Sequence, residues 1–201
     1  MGLLGGSFNP AHAGHLHVAR LALARLRLHQ VWLMVSPGNP LKPVHGMAPL
    51  GARLASARAI ADGRRVVATD IEAKLGTRYT VDTLRVLRRR FARVDFVWLM
   101  GADNLVQLPQ WRRWRDIVAD VVLAVLPRAT YNHRALASRA AHRLSTRRLP
   151  VHAAAALAGL AAPRWVFLPV RQNASSATAI RLGLAPSGVQ HHRPQATPAT
   201  R

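Results

Sequence analysis

The chain has 201 residues, half of them apolar, which is enough to bury one sizeable core and too little for two full domains. It has no cysteine, so disulfides, thiolate metal sites and a cysteine nucleophile are excluded and a reducing compartment fits. A formal charge of +21 invites a nucleic-acid reading, but nearly all of the basic residues are arginine (Lys42 and Lys74 are the only lysines), scattered through predicted helices rather than gathered with aromatics on one stripe, so they read as solvated surface that also attracts anionic substrates.

In chain order, Met1 to Leu4 reads as a short strand and Gly5 to Gly14 as a loop of turn formers, followed by a helix from His15 to Leu28. Val31 to Val35 has the length and apolarity of a buried strand. The breaker cluster Ser36-Pro37-Gly38-Asn39-Pro40 follows it, then a helix from about Pro49 to Ala61. Val66 to Ala68 is a strand, Asp70 to Arg78 a polar segment, and Val81 to about Phe91 a helix. Phe96 to Met100, Val121 to Leu126 and Trp165 to Leu168 are further strands. The stretch Arg134 to Arg148 reads as one helix with Leu136, Ala140 and Leu144 inward and its arginines outward, and Ser175 to Leu184 as a last helix.

This alternation predicts an α/β, Rossmann-like, doubly wound parallel sheet in a single domain over residues 1–185, with a disordered tail over 186–201. Arg20, Arg25 and Arg27 interrupt the Leu/Ala-rich stretch after His15, so no membrane span is expected. Nothing resembles an export or lipid address, and a cytoplasmic location follows as the expectation. In doubly wound sheets ligands sit beyond the carboxyl ends of the strands. The loops Gly5–Gly14, Ser36–Lys42 and Gly101–Asn104 are therefore the informative ones. No G-x-G-x-x-G or Walker lysine motif occurs, which argues against a dinucleotide-binding dehydrogenase and a P-loop enzyme.

Gly5-Gly6-Ser7-Phe8-Asn9-Pro10-Ala11-His12-Ala13-Gly14-His15 combines glycines that admit phosphate to the backbone, two histidines three residues apart, and a helix opened by Gly14 and His15 whose unpaired N–H groups form an anion site. That suits phosphoryl or nucleotidyl transfer, which needs donors and positive charge placed around phosphorus. A metal pair is the rival. No acid falls between Phe8 and Arg27 to complete a zinc site, so no protein-held metal is expected.

These residues resemble the opening loop of the H-x-G-H nucleotidyltransferases, and within them the bacterial nicotinate-nucleotide adenylyltransferases. Ser36 to Lys42 resembles the family's second substrate loop. Tyr79-Thr80-Val81-Asp82-Thr83-Leu84 is similar to its S-Y-T-V-D-T-L segment, with Arg78 in place of the usual Ser. Met100-Gly101-Ala102-Asp103-Asn104 through Trp111-Arg112-Arg113-Trp114 resembles its G-x-D and W-x-x-W region, and Ser175 to Arg181 its I-S-[SA]-T-x-I-R signature, with Ser175 replacing an apolar residue. The blocks run in order over roughly nine-tenths of the chain.

The resemblance implies adenylyl transfer from ATP, accompanied by Mg²⁺, to nicotinate mononucleotide. His12, His15 and Arg181 would be catalytic. Gly5, Gly6, Ser7, Phe8, Gly101, Asp103, Ser176 and Thr178 would join them in binding ATP. Asn39, Lys42, Thr80 and Trp111 would hold the nicotinate nucleotide, with Trp111 stacking on the ring. Several of these residues also have plain readings: Asp103 or Thr80 as a helix cap, Asn39 and Lys42 as a turn with a solvated lysine, Ser176 and Thr178 as a cap with Arg181 on the surface. Trp98 and Trp114 fall where a core residue is expected. A different acceptor, nicotinamide mononucleotide or phosphopantetheine, remains open, as do a basic nucleic-acid-binding module and a homo-oligomeric assembly; no specific nucleic acid and no membrane partner is expected.

Overall fold

The short apolar runs VWLMV, VWLMG and VLAVL have no polar face, so they are stable only where both faces are covered, as in a parallel sheet. The computed structural model, which describes residues 1–38, 46–128 and 130–169, places them there. Strands β1 (Gly2–Gly6), β2 (Val31–Val35), β3 (Val66–Thr69), β4 (Val97–Gly101), β5 (Val122–Leu126), β6 (Arg148–Leu149) and β7 (Trp165–Phe167) form one sheet in the order β3-β2-β1-β4-β5-β7-β6, with every pairing parallel.

Alternate residues feed two cores. Leu3, Met34, Trp98, Met100, Leu123 and Val125 face one way, against helices α4 (Thr80–Arg90), α5 (Ala102–Gln107), α6 (Trp114–Asp120), α7 (Asn132–Leu136) and α8 (Arg139–Arg143). Leu4, Leu33, Val35, Leu99, Val122 and Ala124 face the other way, against α1 (Ala13–Arg25), α2 (Leu50–Ile60) and a 3-10 segment at Val151–Gly159. Connections from β1 run outward to β2 and β3 on one side. After the short helix α3 (Ile71–Lys74), α4 carries the chain back to β4 on the other side of β1. The switch point therefore lies between β1 and β4, where a crevice opens at the strand ends.

Four segments differ from the expectation. Strand β1 runs on through Gly5 and Gly6, because a Cβ at Gly5 would lie 2.8 Å from Trp98 Cη2 and only a bare backbone passes that indole. Helix α1 ends at Arg25: Arg27 takes φ 49°, and Leu28 N–H returns to the Leu23 carbonyl at 3.1 Å, a Schellman closure made without glycine. The polar segment contains α3. The stretch from 134 to 148 is two helical turns rather than one helix, because the Ser138 hydroxyl accepts from Ala141 N–H at 3.2 Å and so starts α8 afresh; Arg148 already belongs to β6. Arg134, Arg139, Arg143, Arg147 and Arg148 are exposed, as expected of a solvated face. The predicted helix over 175–184 and the tail over 186–201 lie outside the described residues. No helix among the described residues is long and apolar enough to cross a membrane.

Candidate active site

His12 is the N-cap of α1, and its local bonds set its chemistry. Its Nδ1 accepts from Gly14 N–H at 3.1 Å, and His15 Nδ1 accepts from His12 N–H at 3.2 Å, a capping box in which both roles fall to histidine. An imidazole that accepts at Nδ1 carries its proton on Nε2 and has no lone pair left for a metal. Each ring thus offers one N–H donor on its far side, and the rings lie 3.9 Å apart between centroids. The amides of Gly14 and His15 are both spent on His12, the second reaching its carbonyl at 2.9 Å, so these two helix N–H groups, which the sequence suggested as anion donors, are already bonded within the loop. Burial, then the neighbouring charges of His12 and Arg128, push His15 down to about 3; burial and Arg128 also hold His12 below its ordinary value.

The loop that carries the histidines is anchored from below. Phe8, buried and at φ 47°, sets its ring 4.8 Å from that of His15. Asn9 bonds Gly46 O at 2.9 Å and Ala48 N–H at 3.2 Å, and Ala11 N–H donates to Ser56 Oγ at 3.1 Å. Arg53 of α2 does most to join the loops: its guanidinium is 3% exposed and donates to the carbonyls of Ser7 (2.8 Å), Ser36 (2.7 Å) and Ala48 (2.8 Å). One buried cation thereby ties the end of β1 to the end of β2, with carbonyl dipoles in place of a counter-ion.

A cavity of about 400 Å³ opens at the switch point, a size suited to a mononucleotide. Gly5, Gly6, Ser7, Ser36, Gly38 and Glu72 line it together with Arg78, Tyr79, Thr80, Trp98, Asn104, Gln110, Trp111 and Arg112. Trp111 stands edge-on to Trp98, at 6.3 Å and 89° between rings. Arg112 lies over the Tyr79 ring at 4.7 Å. Glu72 is buried, its carboxyl pushed up by that burial, and it accepts from Thr83 Oγ1 at 3.2 Å; Thr83 in turn meets Thr77 Oγ1 at 2.8 Å.

A second surface lies beside the histidines at the ends of β4 and β5, where Gly101 pairs with Leu126. A Cβ at Gly101 would collide with the Asp103 carboxylate, and the Asp103 Oδ1 atom is buried with no hydrogen-bond partner among the described residues. Arg128 follows β5, exposed, close enough that its charge bears on both imidazoles.

Of the residues singled out from sequence, Gly5, Gly6, Ser7, Thr80 and Trp111 line the cavity, and His12, His15, Gly101 and Asp103 lie at the adjoining strand ends. Phe8 is core, with its ring under His15. Asn39, Lys42, Ser176, Thr178 and Arg181 lie outside the described residues. Two plain readings are set aside: Gly101 and Tyr79 are the N-caps of α5 and α4, so neither Asp103 nor Thr80 fills that role. Trp114 is core as expected, while Trp98 is buried and also lines the cavity. The reading from sequence missed Arg53, Glu72 and Arg128, because an arginine in an Ala-rich helix, a lone glutamate and an arginine after a strand carry no local signal.

The chain matches the family model described as cytidylyltransferase-like over residues 3–183. A protein of Gluconacetobacter diazotrophicus named "Probable nicotinate-nucleotide adenylyltransferase" is 61% identical over 181 residues, covering 90% of this chain and 84% of that one. A Parvibaculum lavamentivorans protein of the same name is 55% identical, covering 90% of each. Among solved structures, Plasmodium falciparum nicotinic acid mononucleotide adenylyltransferase complexed with NaAD superposes with a TM-score of 0.67 at 14% identity, over 94% of this chain and 85% of that one, a likeness of fold. The chain belongs to the nicotinate-nucleotide adenylyltransferase family, within the cytidylyltransferase-like group.

Proposed function

We propose that the chain transfers the adenylyl group of ATP to the 5′-phosphate of nicotinate mononucleotide, giving nicotinic acid adenine dinucleotide and pyrophosphate, a step of NAD biosynthesis. The observation that carries this reading is the pair of imidazoles beside the mononucleotide-sized cavity, both fixed as neutral Nε2–H donors by their Nδ1 bonds. An oxygen of the acceptor phosphate attacks the α-phosphorus in line. The new P–O bond forms as the α-phosphorus bond to the bridging oxygen breaks, and that electron pair leaves with pyrophosphate. No covalent enzyme intermediate is required.

His12 and His15 donate to phosphate oxygens as charge builds on them, and Arg128 adds a positive charge from the end of β5. Asp103, whose buried Oδ1 has no hydrogen-bond partner among the described residues, accepts from a ribose hydroxyl of the adenosine half. Trp111 stacks on the pyridine ring and Thr80 faces the nucleotide from the start of α4. By resemblance, Lys42 and Asn39 meet phosphate, and Ser176, Thr178 and Arg181 hold the ATP phosphates. Mg²⁺ supplies charge neutralisation when it arrives with ATP, held by phosphate oxygens and water.

The test is pyrophosphate release from Mg²⁺ and ATP with nicotinate or nicotinamide mononucleotide as acceptor, for the unsubstituted chain and for His15→Ala. Release is expected with the nicotinate acceptor and to fall about 10²- to 10³-fold in the variant. Release only with nicotinamide mononucleotide would overturn the acceptor, and none with either would overturn the reaction.

A further inference from the structure

Twenty-nine basic residues face eight acidic ones in this chain, and all eight acids lie among the described residues, so what each carboxylate holds can be followed. Asp62 caps the amides of Arg64, Arg65 and Val66. Asp70 pairs with Lys74, Asp82 with Arg112, Asp116 with Arg85 and Arg113, and Asp120 with Arg88. Asp103 sits against Gly101, and Asp95 lies beside the N-terminal amine. Glu72, the only acid lining the cavity, is buried and bonded by Thr83. None forms an ion pair with Arg78.

Arg78 nevertheless lines the cavity, beside Tyr79 and Thr80. Its backbone is held just upstream: Thr77 N–H donates to Glu72 O at 2.9 Å, and Thr77 Oγ1 meets Thr83 Oγ1 at 2.8 Å. Its side chain is exposed. Arg112, the other guanidinium lining the cavity among the described residues, already covers Tyr79 and approaches Asp82. Gly6 and Ser7, which lead into the histidine loop, line the same cavity as Trp111, whose ring is suited to stacking on a pyridine, and Arg78 directly precedes Tyr79 and Thr80 in that lining.

We propose that Arg78 is a specificity-determining residue, whose guanidinium pairs with the carboxylate on the acceptor's pyridine ring and so separates an acid from an amide at that position. The inference rests on the acceptor reading above. A guanidinium matches a carboxylate with two parallel N–H donors and gains nothing comparable from a carboxamide.

The experiment is equilibrium binding of nicotinate and nicotinamide mononucleotide, read by tryptophan fluorescence, for the unsubstituted chain, Arg78→Ser and Arg78→Lys, with turnover measured in parallel. Arg78→Ser is expected to weaken the nicotinate form about ten-fold and to raise KM for that acceptor in parallel, with binding of nicotinamide mononucleotide unchanged. Arg78→Lys should fall between, since it restores charge without the fork. Equal weakening of both ligands would mean that Arg78 meets the shared phosphate and would overturn the inference, as would no change in either. Discriminating binding without turnover would sink the catalytic reading and leave Arg78 standing; turnover in the unsubstituted chain with identical binding by Arg78→Ser would do the reverse.

Discussion

His15 shows how much chemistry two short bonds can decide. Its Nδ1 is occupied by the His12 amide, its ring lies against Phe8, and its pKa of about 3 stands far below the ordinary 6.5. Between those two values the unfolded chain binds a proton at this position that the folded chain refuses, so the contribution of His15 to stability is present above about pH 6.5 and is lost as pH falls toward 3. Glu72 acts with the opposite sign: its raised carboxyl favours the folded state at low pH and loses that contribution as pH rises. Comparing the unsubstituted chain with His15→Ala cancels the Glu72 part. Denaturant midpoints measured from pH 7.5 down to 4 should show the unsubstituted chain losing stability more steeply than the variant, by up to about 1.4 kcal/mol per pH unit. A constant gap across that range would mean that His15 titrates normally.

At the scale of elements, α2 holds the substrate loops through one side chain. Arg53 reaches four carbonyls, those of Ala48, Ser7, Ser36 and Pro37, on three segments from a position 3% exposed, and burial holds its pKa below the ordinary value for arginine. Lysine is shorter in reach and cannot span them, so Arg53→Lys should cost about 2 kcal/mol of stability, on the scale of one or two charged hydrogen bonds. Because Ser7 and Ser36 both line the cavity, the same variant should raise KM for the acceptor. An unchanged thermal midpoint together with an unchanged KM would show that the loops hold their places without it. Little in the sequence marks this role: the Ala-rich helix around Arg53 places arginines at several positions, and only its packing against the ends of β1 and β2 selects this one.

For the molecule as a whole, +21 of formal charge with few acids to absorb it leaves most arginines exposed to solvent, the crevice mouth included. Both substrates are polyanions, and such a field raises their encounter rate without altering the chemistry at phosphorus. kcat/KM for ATP at fixed free Mg²⁺ is therefore expected to fall several-fold between about 0.02 and 0.2 M salt, with kcat held, because that range shortens the screening length to about 10 Å or less. Salt-independent kcat/KM would remove steering from the account. Duplex DNA binding that persists through the same range would instead revive the nucleic-acid reading of the charge.

The strand runs, the helix of Val81 to Phe91 and the H-x-G-H loop were legible from residues alone, because hydrophobic period and turn chemistry act over a few neighbours. Those local rules determined a parallel α/β sheet and pointed to the turn proposed to handle phosphate, and the ordered motifs carried the family. They could not establish that Gly5 extends β1, since that depends on Trp98 some ninety residues away, nor that Ser138 splits a periodic stretch in two. Nor could they find Arg53, Glu72 or Arg128. Each takes its meaning from partners on other strands and helices, and burial, shared carbonyls and the field at an imidazole exist only once the sheet has brought those elements together.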